Sequence, residues 1–327
     1  MSELQKKRYE NIDFMKGICI LLVVANHLDH LNMPLLSCSC FSLFRMPLYY
    51  FLSGIFFSQY DRFKTFIIKK INNLIIPYVF FSLLTVITVF VFYIRRNYTL
   101  EEAYIESEPL HNAPIWFLIS LFEVGILMYL ISCIRRLELQ GIIVILLSLV
   151  GYHFCEVGLI LPLYLNTALC GIVFYYAGFL LRRFDVLNDS NHILLKFIIS
   201  SAIFLLIAFC ILPDKRLNMS SCDIPFAYHW FVIAGLSGTL SLFYVSKIVK
   251  KVTLINYIGR YSIIVLGVHW YFVKSWKYVF YSPTDIMPKW LFLYLVFFFA
   301  VIASLISIVV LKKYLPKFTA QKPLINI

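Results

Sequence analysis

Stretches of about 20 apolar residues, each long enough to cross a bilayer, follow one another along almost the whole chain. Within hydrocarbon every backbone N–H and C=O must be satisfied inside the segment, so such stretches are helices. Ten spans are predicted, at 12–31, 41–58, 72–94, 114–133, 141–157, 159–181, 194–212, 226–246, 256–273 and 290–311. The expected fold is all-α: a polytopic membrane helical bundle of about ten transmembrane helices, forming a single integral-membrane domain over residues 1–327. Composition agrees, with 61% of the 327 residues apolar and 14% charged, against about 25% charged in an ordinary soluble domain. The opening MSELQKKRYEN is polar, and the helix after it lacks a small-residue cleavage site, so no cleavable signal peptide is expected.

The net charge of +12 first suggests nucleic acid, but the lysines and arginines cluster at the ends of the apolar runs. With the N-terminus in the cytoplasm, nineteen fall on the cytoplasmic side, Lys6, Lys69, Lys70, Arg182 and Lys312 among them, and seven on the other. The positive-inside rule therefore places both termini in the cytoplasm, and the basicity is a topology signal that excludes nucleic acid as partner. The eight cysteines show no zinc spacing, and no metal is expected. Cys19, Cys133, Cys170 and Cys210 fall in or near apolar runs as small hydrophobes. Cys38, Cys40, Cys155 and Cys222 map to outer loops or span ends, where a disulfide can form but cannot be paired from sequence. The longest connection, Arg95 to Asn112, carries Glu101, Glu102, Glu106 and Glu108; it is either a solvated loop or a lid over an outward-facing site.

A few polar side chains interrupt the spans. Lys16 and His27 are eleven positions apart, so they share a helix face to within about 20° and are separated by about 16 Å along the axis. Asp13, three residues before Lys16, lies on the same side. A charged group at the bilayer centre costs about 2.5–3.5 kcal/mol on insertion scales. Lys16 is near enough to the cytoplasmic end to snorkel as an anchor, whereas His27 lies deeper. In the ninth span Ser262 and His269 are seven apart and share a face, with His269 about as deep as His27. The fourth span aligns Trp116, Ser120 and Glu123 at offsets of four and seven. Glu123 is an intramembrane acid, serving either as partner to a cation or in catalysis. Arg45 and Ser53-Gly54 lie in the second span; Gly54 also suits close helix contact. Lys69 and Lys70 open the third span, where a helix N-terminus adds positive potential.

Together these stretches resemble the acyltransferase 3 family, integral-membrane enzymes that O-acylate sugars and other envelope acceptors. The family's first-span pattern is an acid, then Arg or Lys, then ten intervening positions of which the first is Gly, then His; here Asp13, Lys16-Gly17 and His27 match it. PLYYFLSG (47–54), KKINNLIIPY (69–78), PIWFL (114–118) and IGRYSIIVLGVH (258–269) are similar too, in family order. Lysine at position 16, where many members have arginine, resembles the fucose 4-O-acetylase-like and polysaccharide O-acetyltransferase branch. With no esterase-type domain appended, a two-domain relay within the chain is not expected.

The resemblance implies acyl transfer from cytoplasmic acetyl-CoA to a hydroxyl of an envelope glycan, polysaccharide or lipid-linked sugar, in the bacterial inner membrane. Histidine's ordinary pKa suits general-base work, which assigns that task to His27; alternatively His27 is itself transiently acylated. His269, with Ser262, would orient the acceptor or stabilise an oxyanion, and Glu123 joins the catalytic set. Lys16 and Lys70 would hold the donor's phosphates, with Asp13, Ser53, Trp116 and Arg45 in support. The spacing of Lys16 and His27 is comparable to an extended pantetheine arm. The competing function is a transporter or flippase for a polysaccharide or lipid-linked sugar, its polar groups lining a conduit; the absence of a visible internal repeat weakens it.

Overall fold

The computed structural model describes residues 9–28, 39–58, 62–94, 112–213, 215–249, 251–279 and 288–326, with backbone alone at 89–94, 274–279 and 289. The connection at 95–111 and Cys38 lie outside the described residues. What is described is helical, in chain order α1 (Glu10–Asn26), α2 (Cys40–Ile55), α3 (Phe63–Lys70), α4 (Ile76–Ile94), α5 (Trp116–Ser132), α6 (Leu137–Glu156), α7 (Leu165–Arg183), α8 (Ile193–Leu205), α9 (Tyr228–Val249), α10 (Thr253–Arg260), α11 (Ser262–Val279) and α12 (Lys289–Tyr314). Among these residues no strand forms beyond one isolated bridge, Asn218 with Asp223.

Seven helical segments among the described residues are long and apolar enough to cross a membrane, matching the third to eighth and the tenth expected spans. The remaining expected spans fall on α1, of 17 residues, α2, of 16, and α11, of 18. Helices α1 and α2 are shorter than the ~20 residues a lipid-exposed crossing needs; they carry Lys16, Arg45 and Ser53, with His27 at the end of α1, and α11 carries His269. Their surroundings explain the shortness. In α2, Arg45 is only 9% exposed and Tyr50 not at all, and the α1 residues Met15, Cys19, Ile20 and Val24 are fully buried. By contrast, in the apolar windows of α6 and of the α8 segment only 22% of residues are buried. Leu146 and Val150 on α6, and Leu194 and Ile198 on α8, turn outward. Helices such as α6 and α8 form an outer wall, whereas α1 and α2 lie within the bundle together with the longer segments that contain α5 and α7, whose apolar windows are 61% buried. Inside it hydrocarbon thickness no longer sets helix length.

Two boundaries differ from the expectation. The first span ends early: His27 caps α1, its N–H bonding to the Val23 and Val24 carbonyls, and Leu28 then donates to Ala25 in a tightened turn. The ninth span is two helices, broken at Tyr261 (φ −108°, ψ 26°). The break follows the point where Gly259 lies directly on the Asp13 carbonyl and the Gly17 amide of α1. Gly17 in turn meets the Ile255 backbone, so α1 and α10 touch backbone to backbone. The same device joins α2 to α7, where Gly54 faces the Tyr175 carbonyl and Gly178 the Phe51 carbonyl. Lipid offers no hydrophobic drive between helices, so such small-residue contacts supply dispersion that larger side chains would block.

Between α3 and α4 the backbone makes a π turn at Ile71–Ile75. It lies ahead of Pro77, whose missing N–H and bulky ring disturb a regular α-helix. Asn72 in this turn is 4% exposed. Its Nδ2 donates to the Ile68 and Ile325 carbonyls at 3.1 and 2.9 Å, and its Oδ1 accepts from the Leu324 and Ile325 amides at 2.8 and 2.9 Å. The segment after α12 is thereby fastened beside Lys70.

Replacing Gly178 with leucine is expected to force α2 and α7 apart, at a cost in the overpacking range of about 1–3 kcal/mol or more. The check is a lower thermal midpoint in detergent, with Gly141→Leu, where a Cβ meets only the edge of the Tyr176 ring at 3.8 Å, as the mild control.

Candidate active site

The end of α1 and the middle of α11 bring the two spanning histidines together: the rings of His27 and His269 lie 5.3 Å apart, centre to centre, at 39°. Trp270, the next residue along α11, sets its ring nearly perpendicular to His27 at 4.8 Å. His269 is fully buried, and its Nδ1 is 2.8 Å from the Val265 carbonyl. A carbonyl can only accept, so Nδ1 carries the hydrogen, and in the neutral ring Nε2 keeps its lone pair. That Nε2 has no hydrogen-bond partner among the described residues. His27 is half-buried and faces a cavity of about 70 Å³, lined also by Asn26, Arg45, Tyr49, Trp116 and Ser220. That volume accommodates several water-sized groups.

Among the described residues the lining is cationic and aromatic and includes no carboxylate. Arg45 reaches it from α2, whose backbone is tied to α1 by Cys19, the thiol donating to the Arg45 carbonyl at 3.1 Å. Trp116, 8% exposed, enters from the start of α5 and packs on Phe117 and Tyr164 at 5.6 and 5.4 Å. The far wall is the loop preceding α9, with Leu217, Asn218, Met219 and Ser220; Ser42 accepts from the Leu217 amide at 3.0 Å. An aromatic face with amides, hydroxyls and a guanidinium suits a polyhydroxylated ligand better than an apolar one.

At the other end of α1 lie the lysines. The Lys16 ammonium rests 4.9 Å from the centre of the Phe56 ring. Lys70 donates to the Tyr175 hydroxyl at 3.2 Å and lies 5.6 Å from the centres of the Phe66 and Tyr175 rings. Phe57 joins this group, its ring 6.1 Å from Phe66 and 6.2 Å from Tyr175, so both ammonium groups sit on aromatics gathered at the C-terminal end of α2. Because α1 is unbroken from Lys16 to its cap, the rise of about 1.5 Å per residue holds the two ends about 16 Å apart. Tyr49 spans the interval: it lines the cavity, its hydroxyl points to the Lys16 carbonyl at 3.4 Å, and Ser262 lies within hydrogen-bonding reach of it.

Thus His27, Arg45 and Trp116 share one cavity with His269 packed behind, and Ser262 joins them through Tyr49. Glu123 stands apart. It is half-buried on α5, outside the cavity lining, and its Oε2 has no hydrogen-bond partner among the described residues. Ser120, on the same stripe, is taken by the Tyr50 hydroxyl at 2.5 Å. Asp13 is half-buried near the lysine end, its carbonyl against Gly259. Ser53 is half-buried on α2, outside that lining. Sequence inspection passed over Trp270 and Tyr49, although both lie in or beside motifs it quoted. Nothing in the local sequence marks Asn218 or Ser220.

A family model described as an acyltransferase domain, that of the acyltransferase 3 family, matches residues 9–310. The chain belongs to this family, and its spanning helices make it a membrane acyltransferase. No curated protein and no solved structure shows a significant match.

Filling the cavity tests its importance without touching the histidines. Ser220→Trp is expected to cut acyl transfer at least tenfold, a loss of about 1.4 kcal/mol in transition-state binding, while the elution profile in size-exclusion chromatography stays that of the parent.

Proposed function

We propose that this protein transfers an acetyl group from cytoplasmic acetyl-CoA to a hydroxyl of an envelope glycan, polysaccharide or lipid-linked sugar, in a bacterial cytoplasmic membrane. The observation that carries this reading is the pair of imidazoles at 5.3 Å, one of them facing the cavity, with two ammonium groups near the opposite end of α1. The donor's phosphates bind at the lysine end, on the side that the basic residues mark as cytoplasmic. The pantetheine arm follows α1 past Tyr49 and presents the thioester to His27. The acceptor comes to the cavity from the other side, its ring on Trp116.

Transfer then needs a base, a positioned electrophile and a place for negative charge. His27 takes the proton of the acceptor hydroxyl as its oxygen attacks the thioester carbonyl. The Arg45 guanidinium stabilises the oxyanion that develops on that carbonyl. The tetrahedral intermediate collapses with loss of CoA thiolate, which recovers the proton from the His27 imidazolium. His269 holds the His27 ring in place, its own ring fixed by the bond from Nδ1 to the Val265 carbonyl. Lys16 and Lys70, each resting on aromatic rings, offer compact charges to phosphate oxygens.

His27→Ala is expected to lower kcat by about 10²–10⁴-fold at unchanged membrane expression, measured with labelled acetyl-CoA and glycan fractions. Retained turnover would remove His27 from its role. Lys16→Ala is expected to raise the donor's KM roughly tenfold or more, as loss of a charge-assisted contact does, with kcat little altered. Incubation with labelled donor and no acceptor separates direct transfer from an acyl-histidine: direct transfer leaves the chain unlabelled, whereas an acyl-imidazole leaves label that His27→Ala abolishes.

A further inference from the structure

Three cysteines converge beside the cavity. Cys155 is in the last turn of α6, Cys170 in the second turn of α7, and Cys222 closes the short turn Met219–Ser221. The Cys155 and Cys170 sulfurs are 3.9 Å apart, and the Cys155 and Cys222 thiols lie within hydrogen-bonding reach of each other. Cys222 also lies 3.6 Å from the Thr167 hydroxyl. Their exposure differs: Cys170 is buried, whereas Cys155 and Cys222 are both partly open. Cys222 belongs to the loop that walls the histidine cavity, just beyond Met219 and Ser220. Thr167 donates to the Met219 carbonyl at 2.7 Å, Ser42 accepts from the Leu217 amide, and Tyr152 donates to the Phe226 carbonyl at 3.3 Å. Leu217 and Met219 are buried, so the loop already packs on the bundle on both sides of Cys222.

We propose that Cys155 and Cys222 form a reversible disulfide that fastens this loop to the end of α6 and so sets the wall of the histidine cavity. The charge distribution places both cysteines on the outer side of the membrane, where disulfides persist. Neighbouring thiols that reagents can reach are the ones that exchange; the buried Cys170 is shielded. The oxidant is an external disulfide, carried by a small thiol or an oxidoreductase. One cysteine attacks it as a thiolate and expels a thiolate. The second cysteine then displaces the mixed disulfide, leaving one internal S–S bond and two external thiols, with protons and electrons balanced.

The test uses the full-length protein in detergent, equilibrated with oxidised glutathione, alkylated, digested and mapped by mass spectrometry. The expected result is a linked peptide joining Cys155 to Cys222 that disappears with dithiothreitol and in Cys222→Ser, but persists in Cys170→Ser. Hydrogen exchange of residues 215–227 should be slower in the oxidised than in the reduced protein. Alkylation of Cys155, Cys170 and Cys222 alike after oxidation, or a link from Cys155 to Cys170, would overturn the pairing. A correct link with unchanged exchange in the loop would overturn its role in the wall. The linked peptide, its loss with dithiothreitol and the exchange rates are all read on the unmutated chain, with the serine variants as controls, so a variant that misfolds does not obscure the answer, and none of these depends on the acetyl donor.

Discussion

A lysine and a histidine on one apolar helix cannot both face lipid, and the enclosure of α1 is the constraint from which the rest of the architecture follows. Enclosure requires neighbours close enough to exclude acyl chains, which is why α10 meets α1 at glycine and backbone instead of at large side chains. Once α1 is inside, it is freed from the length rule for lipid-exposed spans and can stop at Asn26, with His27 at its end. The cap residue is then free to turn toward a cavity, where a mid-helix residue would be hemmed in by its own turns.

The short helices and the long ones divide the work. Helices such as α6 and α8 present continuous apolar surface and hold the bundle in the membrane. Helices α1, α2 and α11 carry most of the polar side chains of the candidate site, at two levels along one axis, with Lys70 and Trp116 added from α3 and α5. At one level the ammonium groups of Lys16 and Lys70 rest on aromatic rings, whose faces attract cations. At the other, imidazoles and a guanidinium meet around a cavity whose far wall is a loop. Tyr49 links the levels, contacting the Lys16 carbonyl while lining the cavity.

Much of this was legible before any coordinates. The apolar runs announced helices because hydrocarbon leaves the backbone no other arrangement, and the third to eighth and tenth spans are found as long apolar segments. The recurrence of one face every 3.6 residues put Lys16 and His27 on one side of α1. The motif order pointed to the family that the chain's own match then established. Less was legible where spacing had to stand in for contact. Trp116, Ser120 and Glu123 share a stripe, yet Trp116 reaches the cavity, Ser120 is taken by Tyr50, and Glu123 lies outside the lining. A stripe has several levels, and each level meets a different neighbour. The ninth span looked continuous because the approach of Gly259 to α1 leaves no trace in hydropathy.

The amino-acid sequence by itself determined that this chain is a membrane-embedded helical protein of the acyltransferase 3 family, since apolar length and motif order are properties of the chain taken in line. The tertiary structure alone decided that His269 stands against His27, that Tyr49 bridges the two levels, and that the loop at Asn218–Ser220 closes the cavity. Those relations join residues up to 242 positions apart, as with His27 and His269. They depend on how closely glycine lets two backbones approach, a distance that only packing in three dimensions can set.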